Sequence, residues 1–118
     1  ELSMQQTLDM AFEIMPEWCN FYCTVAYPGA ALYKQAIAEG WELPGSWSGY
    51  SHYAYDYLPL RTKHLSAAEV LRFRDDAFQK FYNSPSYQSH ALTKFGPKAV
   101  VEIQEMTKIP LKRKLLGG

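Results

Sequence analysis

The stretch that most constrains the fold is NFYCTVAYPGAALYKQAIAEGW, residues 20–41, where an apolar run meets a Tyr-Pro-Gly turn and a short helical pattern. Residues 20–27 are rich in aromatic and β-branched side chains and carry no charge, which is typical of a strand buried on both faces. Pro28 lacks a backbone N–H and ends the run, and Gly29 permits a tight turn. Gly40 stands where a helix commonly ends on glycine. This order predicts half of a strand–helix–strand unit and hence an α/β fold.

Most of the remaining sequence predicts helices. Two serines begin capping-box patterns, in which a glutamine or glutamate follows three residues later: Ser3 with Gln6, and Ser66 with Glu69. Pro16 should end the first helix, because the residue before a proline avoids the helical region. A helix is expected over about 87–95, and Pro97 suits the first position of the next one. The chain is therefore expected to be mostly helical.

The segment Trp41–His64 differs from its surroundings. It holds two prolines, two glycines and six aromatic residues. Such long connections often serve as lids or ligand walls. Its rings could stack bases or sugars, line a pocket for a flat ligand, or simply cover the end of a sheet, which is the interpretation we favour. A second short strand is expected near 53–57, able to pair with residues 20–27.

Composition limits the classes of protein to consider. The 118 residues contain no apolar run near the ~18 that a membrane helix needs, and the first ten lack the basic start and apolar run of a signal peptide. With only two cysteines, this predicts a cytoplasmic protein without a membrane span. Residues 1–59 carry seven acidic and one basic side chain, whereas residues 60–118 carry eleven basic and five acidic ones. Such a split could mark a nucleic-acid or membrane face in the second half, but we expect instead that the halves attract each other or face another domain.

No catalytic or metal-binding pattern stands out. Cys19 and Cys23 lie four residues apart, which is roughly 13 Å along a strand and too far for one small metal ion. They are expected to act as small apolar side chains. His52 lies near Asp56, which could orient it as an acid–base pair, yet no nucleophile motif is close and we expect no chemistry there. The sequence therefore predicts no catalytic and no metal-ligating residue in this chain.

The run Tyr-Pro-Gly-Ala-Ala-Leu-Tyr at 27–33, followed by Gly40, Trp47 and Tyr50, resembles the late region of radical S-adenosylmethionine enzymes. It is most similar to the cobalamin-binding class, which includes the anaerobic oxidative cyclases of magnesium-protoporphyrin monomethyl ester. The likeness covers roughly residues 3–90. Ala30 departs from the family, which usually has threonine there.

The resemblance implies a fragment of a partial parallel (β/α) barrel with one or two strands and a C-terminal helical extension. Residues 1–64 would be the end of the barrel, and residues 65–118 the extension. The parent would use a [4Fe–4S] cluster, S-adenosylmethionine and cobalamin, and would act on a small-molecule substrate. The family's three-cysteine loop is missing from this chain, so no cofactor is expected in the isolated piece.

By the same resemblance, a strand end at Ala26, Tyr27, Pro28 and Gly29 would contact the bound S-adenosylmethionine. The partners would be upstream domains of the same polypeptide, with no nucleic acid. The isolated piece would pair its strand internally or form a homodimer. The alternative is an autonomous helical binding module that uses the basic end at Lys112, Arg113 and Lys114.

Overall fold

The protein was analysed as a computed structural model, which describes residues 2–118. These residues form five α-helices and two short 3₁₀ turns. The helices are α1 (Leu2–Ile14), α2 (Ala31–Ala38), α3 (Ala67–Tyr82), α4 (Pro85–Phe95) and α5 (Pro97–Thr107), and the 3₁₀ turns are Trp47–Tyr50 and Lys114–Leu116. The helices predicted around Pro16, Gly40, Ser66 and Pro97 are thus confirmed.

The predicted α/β fold is wrong, because residues 2–118 contain no β-strand and no sheet. A fragment of a parallel barrel with one or two strands is therefore also wrong as a description of this chain. Residues 20–27 form no strand and belong to no helix. Their one backbone hydrogen bond to residues 53–60 runs from the Leu60 amide to the Thr24 carbonyl, over 2.9 Å.

Two features of the backbone explain why no ladder forms at residues 20–27. The amides two residues on either side of Leu60, which would continue a ladder, are engaged elsewhere: Leu58 donates to the Gly49 carbonyl and Thr62 donates to the Leu65 carbonyl, each over 3.0 Å. The carbonyls of the predicted partner segment are also occupied: Tyr55 accepts from the Lys114 amide over 2.9 Å. An apolar, β-prone composition describes a side-chain environment and does not supply a hydrogen-bonding partner.

The helix ends follow the local sequence at most positions. In α3 the capping box is complete: the Glu69 amide donates to Ser66 Oγ over 3.2 Å, and the Ser66 amide donates to Glu69 Oε2 over 2.8 Å. These bonds hold the pKa of Glu69 below its usual value. The predicted cap at Ser3 is wrong, because α1 already includes Leu2 and Ser3.

Helix α2 ends in a Schellman motif. The Trp41 amide donates to the Ala36 carbonyl over 2.9 Å, and the Gly40 amide donates to the Ile37 carbonyl over 3.2 Å. Gly40 has a φ of 70°, a left-handed conformation that glycine adopts at little cost. The predicted glycine cap is confirmed.

Contacts divide the chain into two compact units, each built from two separate stretches. The first unit comprises the described part of Glu1–Phe21 together with Asp75–Pro110, and the second comprises Tyr22–Arg74 with Leu111–Gly118. Helix α3 begins in the second unit, and its residues from Asp75 onward belong to the first. The division at residues 64–65, drawn from the resemblance, stays a prediction.

The first unit has an aromatic core. The ring of Phe81 lies at its centre, with centroids 5.5 Å from Phe12, 5.9 Å from Phe21 and 4.9 Å from Tyr87. Two buried tyrosines tie the segment after α1 to this core. Tyr82 Oη donates to the Cys19 carbonyl over 2.6 Å, and Tyr87 Oη donates to the Glu17 carbonyl over 2.5 Å. Burial raises the pKa of Tyr87 to about 12.

The second unit has a smaller aliphatic core. Ala26, Ala36 and Leu60 are buried against one another, and the partly buried Leu32 and Tyr33 of α2 pack on them. This cluster fixes α2 beside the turn that precedes it. The aromatic loop, residues 41–57, belongs to the same unit.

We predict that Gly40→Ala lowers the free energy of unfolding by about 1 kcal/mol, because alanine is strained at positive φ. Urea denaturation followed by circular dichroism measures the change. Gly45→Ala is the matched control, since Gly45 has no positive φ and an added Cβ would meet no atom within 4 Å. Equal stability of the two variants would contradict the Schellman assignment.

Ser66→Ala should destabilise the protein by about 1 kcal/mol, the usual effect of removing a helix cap. Ser89→Ala serves as its control, because Ser89 lies exposed within α4, where alanine is the better helix former. Chemical denaturation midpoints distinguish the two. A midpoint for Ser66→Ala that equals the wild-type value would argue against the capping box.

Candidate functional site

The turn at residues 26–29 is the segment to which the resemblance assigns cofactor contacts. Ala26 is buried in the core of the second unit, so its side chain is not accessible. Tyr27, Pro28 and Gly29 are exposed. The Ala30 amide donates to the Tyr27 carbonyl over 3.1 Å and closes the turn, and Gly29 has a φ of 90°. Three of the four residues therefore offer an accessible surface.

Three rings form what we call the aromatic surface: the exposed Tyr27 and Trp47 and the half-buried Tyr50. The Tyr27 and Tyr50 rings are stacked, with centroids 5.9 Å apart and planes 28° from parallel. The Trp47 ring lies 6.1 Å from Tyr50. Trp47 is 80% exposed and Tyr27 is 48% exposed. Burial of the Tyr50 hydroxyl raises its pKa. Because single exposed aromatics are common but contiguous ones are not, this patch is a candidate binding surface.

A carboxylate holds the 3₁₀ turn that carries Trp47. Asp56 Oδ2 accepts from Ser48 Oγ over 2.6 Å and from Ser46 Oγ over 3.0 Å. These two bonds, with Ser48 first, lower the pKa of Asp56. The side-chain hydrogen bonds of Asp56 go to these two serines, whereas His52 lies against Tyr57, so the acid–base pair that their spacing allows is not formed.

At Gly49, within the 3₁₀ turn, the backbone lies close to the side chain of Pro44. A Cβ added at Gly49 would lie 2.6 Å from the Cβ of Pro44, so only glycine fits there. The Leu58 amide donates to the Gly49 carbonyl over 3.0 Å. The aromatic loop is therefore an ordered element built on defined bonds.

In the second unit, the buried side chain of Arg113 binds the aromatic loop. It is only 2% exposed, and its Nη1 donates to the carbonyls of His52, over 2.8 Å, and Ala54, over 3.1 Å. Its guanidinium carbon lies 5.5 Å from the centroid of the Tyr57 ring, a cation–π geometry. The two carbonyls and the ring stabilise a charge that would be costly to bury alone.

The rest of the C-terminal segment, residues 114–118, also forms hydrogen bonds with the aromatic loop. The Lys114 amide donates to the Tyr55 carbonyl, and Tyr55 Oη donates to the Gly118 carbonyl, each over 2.9 Å. A cavity of about 470 Å³ lies in the same unit, lined in part by Glu42, Asp56 and Lys114. Its lining carries charges of both signs and does not single out one ligand.

His52 lies in an aromatic environment. Its Nδ1 is 3.0 Å from Tyr57 Oη, and its ring centroid is 4.5 Å from that of Tyr22. Burial lowers the pKa of His52, and the positive charges of Arg74 and Arg113 lower it further. His52 is therefore neutral near pH 7 and has a ring nitrogen that can accept a proton.

The two cysteines belong to different units and are both half-buried. Burial raises the pKa of Cys19. The Cys23 thiol donates to the Val70 carbonyl over 4.0 Å. Within residues 2–118, no three histidine, cysteine or acidic side chains are grouped so as to hold a metal ion.

The sequence did not indicate that Arg113 is buried, nor that Tyr57 is the hydrogen-bonding partner of His52. In the run Lys112-Arg113-Lys114 nothing marks the middle residue as buried, and such runs are usually solvated. The partner of His52 is Tyr57, five residues on, a spacing that belongs to no regular element. Only the unusual density of aromatic residues in the loop could have indicated a buried cation nearby.

Comparisons with protein-family models, curated proteins and solved structures return no match. Across residues 2–118, every helix is too short or too polar to cross a bilayer.

We predict that Arg113→Met lowers the free energy of unfolding by about 2–4 kcal/mol, because it leaves two buried carbonyls without their charged donor. Lys112→Met is the control: it removes an exposed positive charge next to Arg113 and should change stability by less than about 0.5 kcal/mol. Urea unfolding of both variants, followed by tryptophan fluorescence, tests this. Equal effects would show that the Arg113 contacts do not stabilise the unit.

Proposed function

We propose that this chain is the C-terminal portion of a radical S-adenosylmethionine enzyme of the cobalamin-binding class, similar to the tetrapyrrole oxidative cyclases. In this proposal the chain supplies a binding surface, and upstream domains of the same polypeptide supply the chemistry. The chain alone is inactive, and the complete enzyme acts on a small molecule.

One observation carries the proposal. The best motif of the resemblance is the Pro-Gly-x-x-Leu-Tyr run, and the Tyr-Pro-Gly turn at its start is exposed and stacked, through Tyr27, on Tyr50 of the aromatic loop that follows. Residues that the resemblance links only by their order along the chain thus share one surface. Leu32 and Tyr33, also in the motif, pack against the core that supports the turn.

The implied cofactors fit this chain to different degrees. A [4Fe–4S] cluster does not fit, because it needs at least one more thiolate than Cys19 and Cys23 provide, and these two lie in separate units. The adenosine of S-adenosylmethionine fits better, since the Tyr27 ring offers a face for stacking and Gly29 allows close approach to the backbone. No residue is assigned to cobalamin.

The second candidate, a binding module with a basic end, is less well supported. Arg113 is buried against the aromatic loop, so only Lys112 and Lys114 of the basic run remain exposed. Two lysines give a weak electrostatic footprint for nucleic acid or an anionic membrane. Tight, salt-sensitive binding of either by the isolated chain would favour this candidate.

The decisive experiment uses the reading frame upstream of Glu1. We expect it to encode a Cys-x-x-x-Cys-x-x-Cys loop, and the longer polypeptide, reconstituted anaerobically, to bind S-adenosylmethionine. Tyr27→Ala should then weaken that binding about tenfold, the loss expected for one stacked ring. Trp18→Ala removes an exposed ring of the first unit and should leave binding unchanged.

A start codon immediately before Glu1, or an upstream frame without the three-cysteine loop, would refute the proposal. Equal binding by the wild-type protein and Tyr27→Ala would refute only the assignment of the turn to the cofactor.

A further inference from the structure

Helix α1 carries apolar side chains that the core of the first unit does not use. Leu8 and Ala11 are its buried residues. Three other large apolar residues are exposed and form what we call the α1 row: Leu2 is 75% exposed, Met10 51% and Ile14 67%. Met10 and Ile14 are four residues apart, so they lie one turn apart on the same side of the helix. The helix therefore presents apolar surface both to the core and to solvent.

Acidic side chains accompany the α1 row. Asp9 and Glu13 are exposed, each is next in sequence to a residue of the row, and they too are one turn apart. Asp9 accepts a hydrogen bond from Gln5 Nε2 over 2.9 Å. Residues 1–33 contain no lysine or arginine. A partner for this surface should therefore combine exposed apolar side chains with positive charge.

The chain itself carries such a segment directly after α5. We call it the basic linker, and all five of its residues are exposed: Lys108, Ile109, Pro110, Leu111 and Lys112. Ile109 is 73% exposed and Leu111 is 40% exposed. Residues 108–114 contain four basic side chains and no acidic one. The basic linker thus matches the α1 row in apolar character and is opposite to it in charge.

One charge of the basic linker already has a partner in the same chain. Lys108 Nζ lies 2.7 Å from Glu105 Oε1, and both side chains are well exposed. An exposed ion pair of this kind contributes little stability, so Lys108 can exchange Glu105 for another carboxylate at small cost.

We propose that this protein self-associates head to tail, with the α1 row of one copy bound to the basic linker of a second copy. Two α1 rows are a poor match for each other, because Asp9 and Glu13 would meet the same negative charges. Because the two surfaces differ, the contact leaves one α1 row and one basic linker free at the ends of a dimer. Further copies can then add. This inference does not depend on the proposed function.

The size of the two surfaces sets the strength of the association. Helix α1 has 13 residues and is about 20 Å long. One side of such a helix against five linker residues makes a smaller contact than a standard interface of about 1,600 Å². We therefore expect weak, reversible association that decreases at high salt, because exposed charges contribute to it.

Sedimentation of the 118-residue chain tests the proposal over about 10 μM to 1 mM, the range in which weak complexes form. The mean molar mass should rise with concentration and pass that of a dimer. Met10→Lys and Ile109→Lys should each weaken the association about tenfold or more, because each removes an apolar contact. Val101→Lys, at a 55% exposed position of α5, is the control and should leave it unchanged. Circular dichroism checks that each variant is folded.

Mixing the two variants tests whether the contact is head to tail. Met10→Lys keeps an intact basic linker, and Ile109→Lys keeps an intact α1 row. An equimolar mixture should form dimers that add no further copies, at a concentration where each variant alone is monomeric. A symmetric contact, in which both copies use the same surface, would not be restored by mixing.

Charge reversal tests the electrostatic part. Reversing both acids of α1, Asp9→Lys with Glu13→Lys, should weaken association about tenfold, and so should Lys108→Glu with Lys112→Glu. All four changes in one chain should restore it, because the attraction returns with its signs exchanged. Lys34→Glu, at an exposed position of α2, is the control.

Three results would overturn the inference. One is a chain that stays monomeric up to about 1 mM. Another is association that Met10→Lys leaves unchanged, as pairing through residues 20–27 or through the aromatic surface would give. The third is a mixture of Met10→Lys and Ile109→Lys that stays monomeric. None of these results would affect the proposed function.

Discussion

The aromatic loop depends on one buried charge. Removing the guanidinium of Arg113 from water is costly unless its N–H groups find acceptors, and the loop supplies the carbonyls of His52 and Ala54 together with the face of Tyr57. The loop must therefore turn these carbonyls inward. An element rich in glycine, proline and aromatic residues gains a defined conformation without helix or sheet.

Two consequences follow for the second unit. Carbonyls that accept hydrogen bonds from Arg113 and Lys114 do not pair with residues 20–27, which is one reason why this apolar segment forms no strand. The rings of Tyr27, Tyr50 and Trp47 lie against one another and form the aromatic surface. The same contacts that order the loop thus leave an accessible patch next to the Tyr-Pro-Gly turn.

The sequence predicts those features whose causes are local. The Ser66 capping box, the Gly40 cap and the start of α5 at Pro97 are all determined within a few residues, and all three are confirmed. The predicted strand is wrong because a β-strand needs a hydrogen-bonded neighbouring strand, whereas the sequence of residues 20–27 shows only a strand-like composition.

The candidate site was less predictable because its contacts are distant in sequence. Arg113 and His52 are 61 residues apart, and the basic run around Arg113 gives no sign of burial. The exposed turn at Tyr27 could be selected from its motif, whereas the contacts of Arg113 with the carbonyls of His52 and Ala54 required the structure.

Amide hydrogen exchange at residue resolution tests most directly whether the C-terminal segment orders the aromatic loop. The account predicts slow exchange for the amides of Leu58 and Lys114, which donate to Gly49 and Tyr55, and fast exchange for those of Tyr22 and Val25. Exchange of Leu58 and Lys114 at the rate of an unfolded chain, while α3 stays protected, would contradict it.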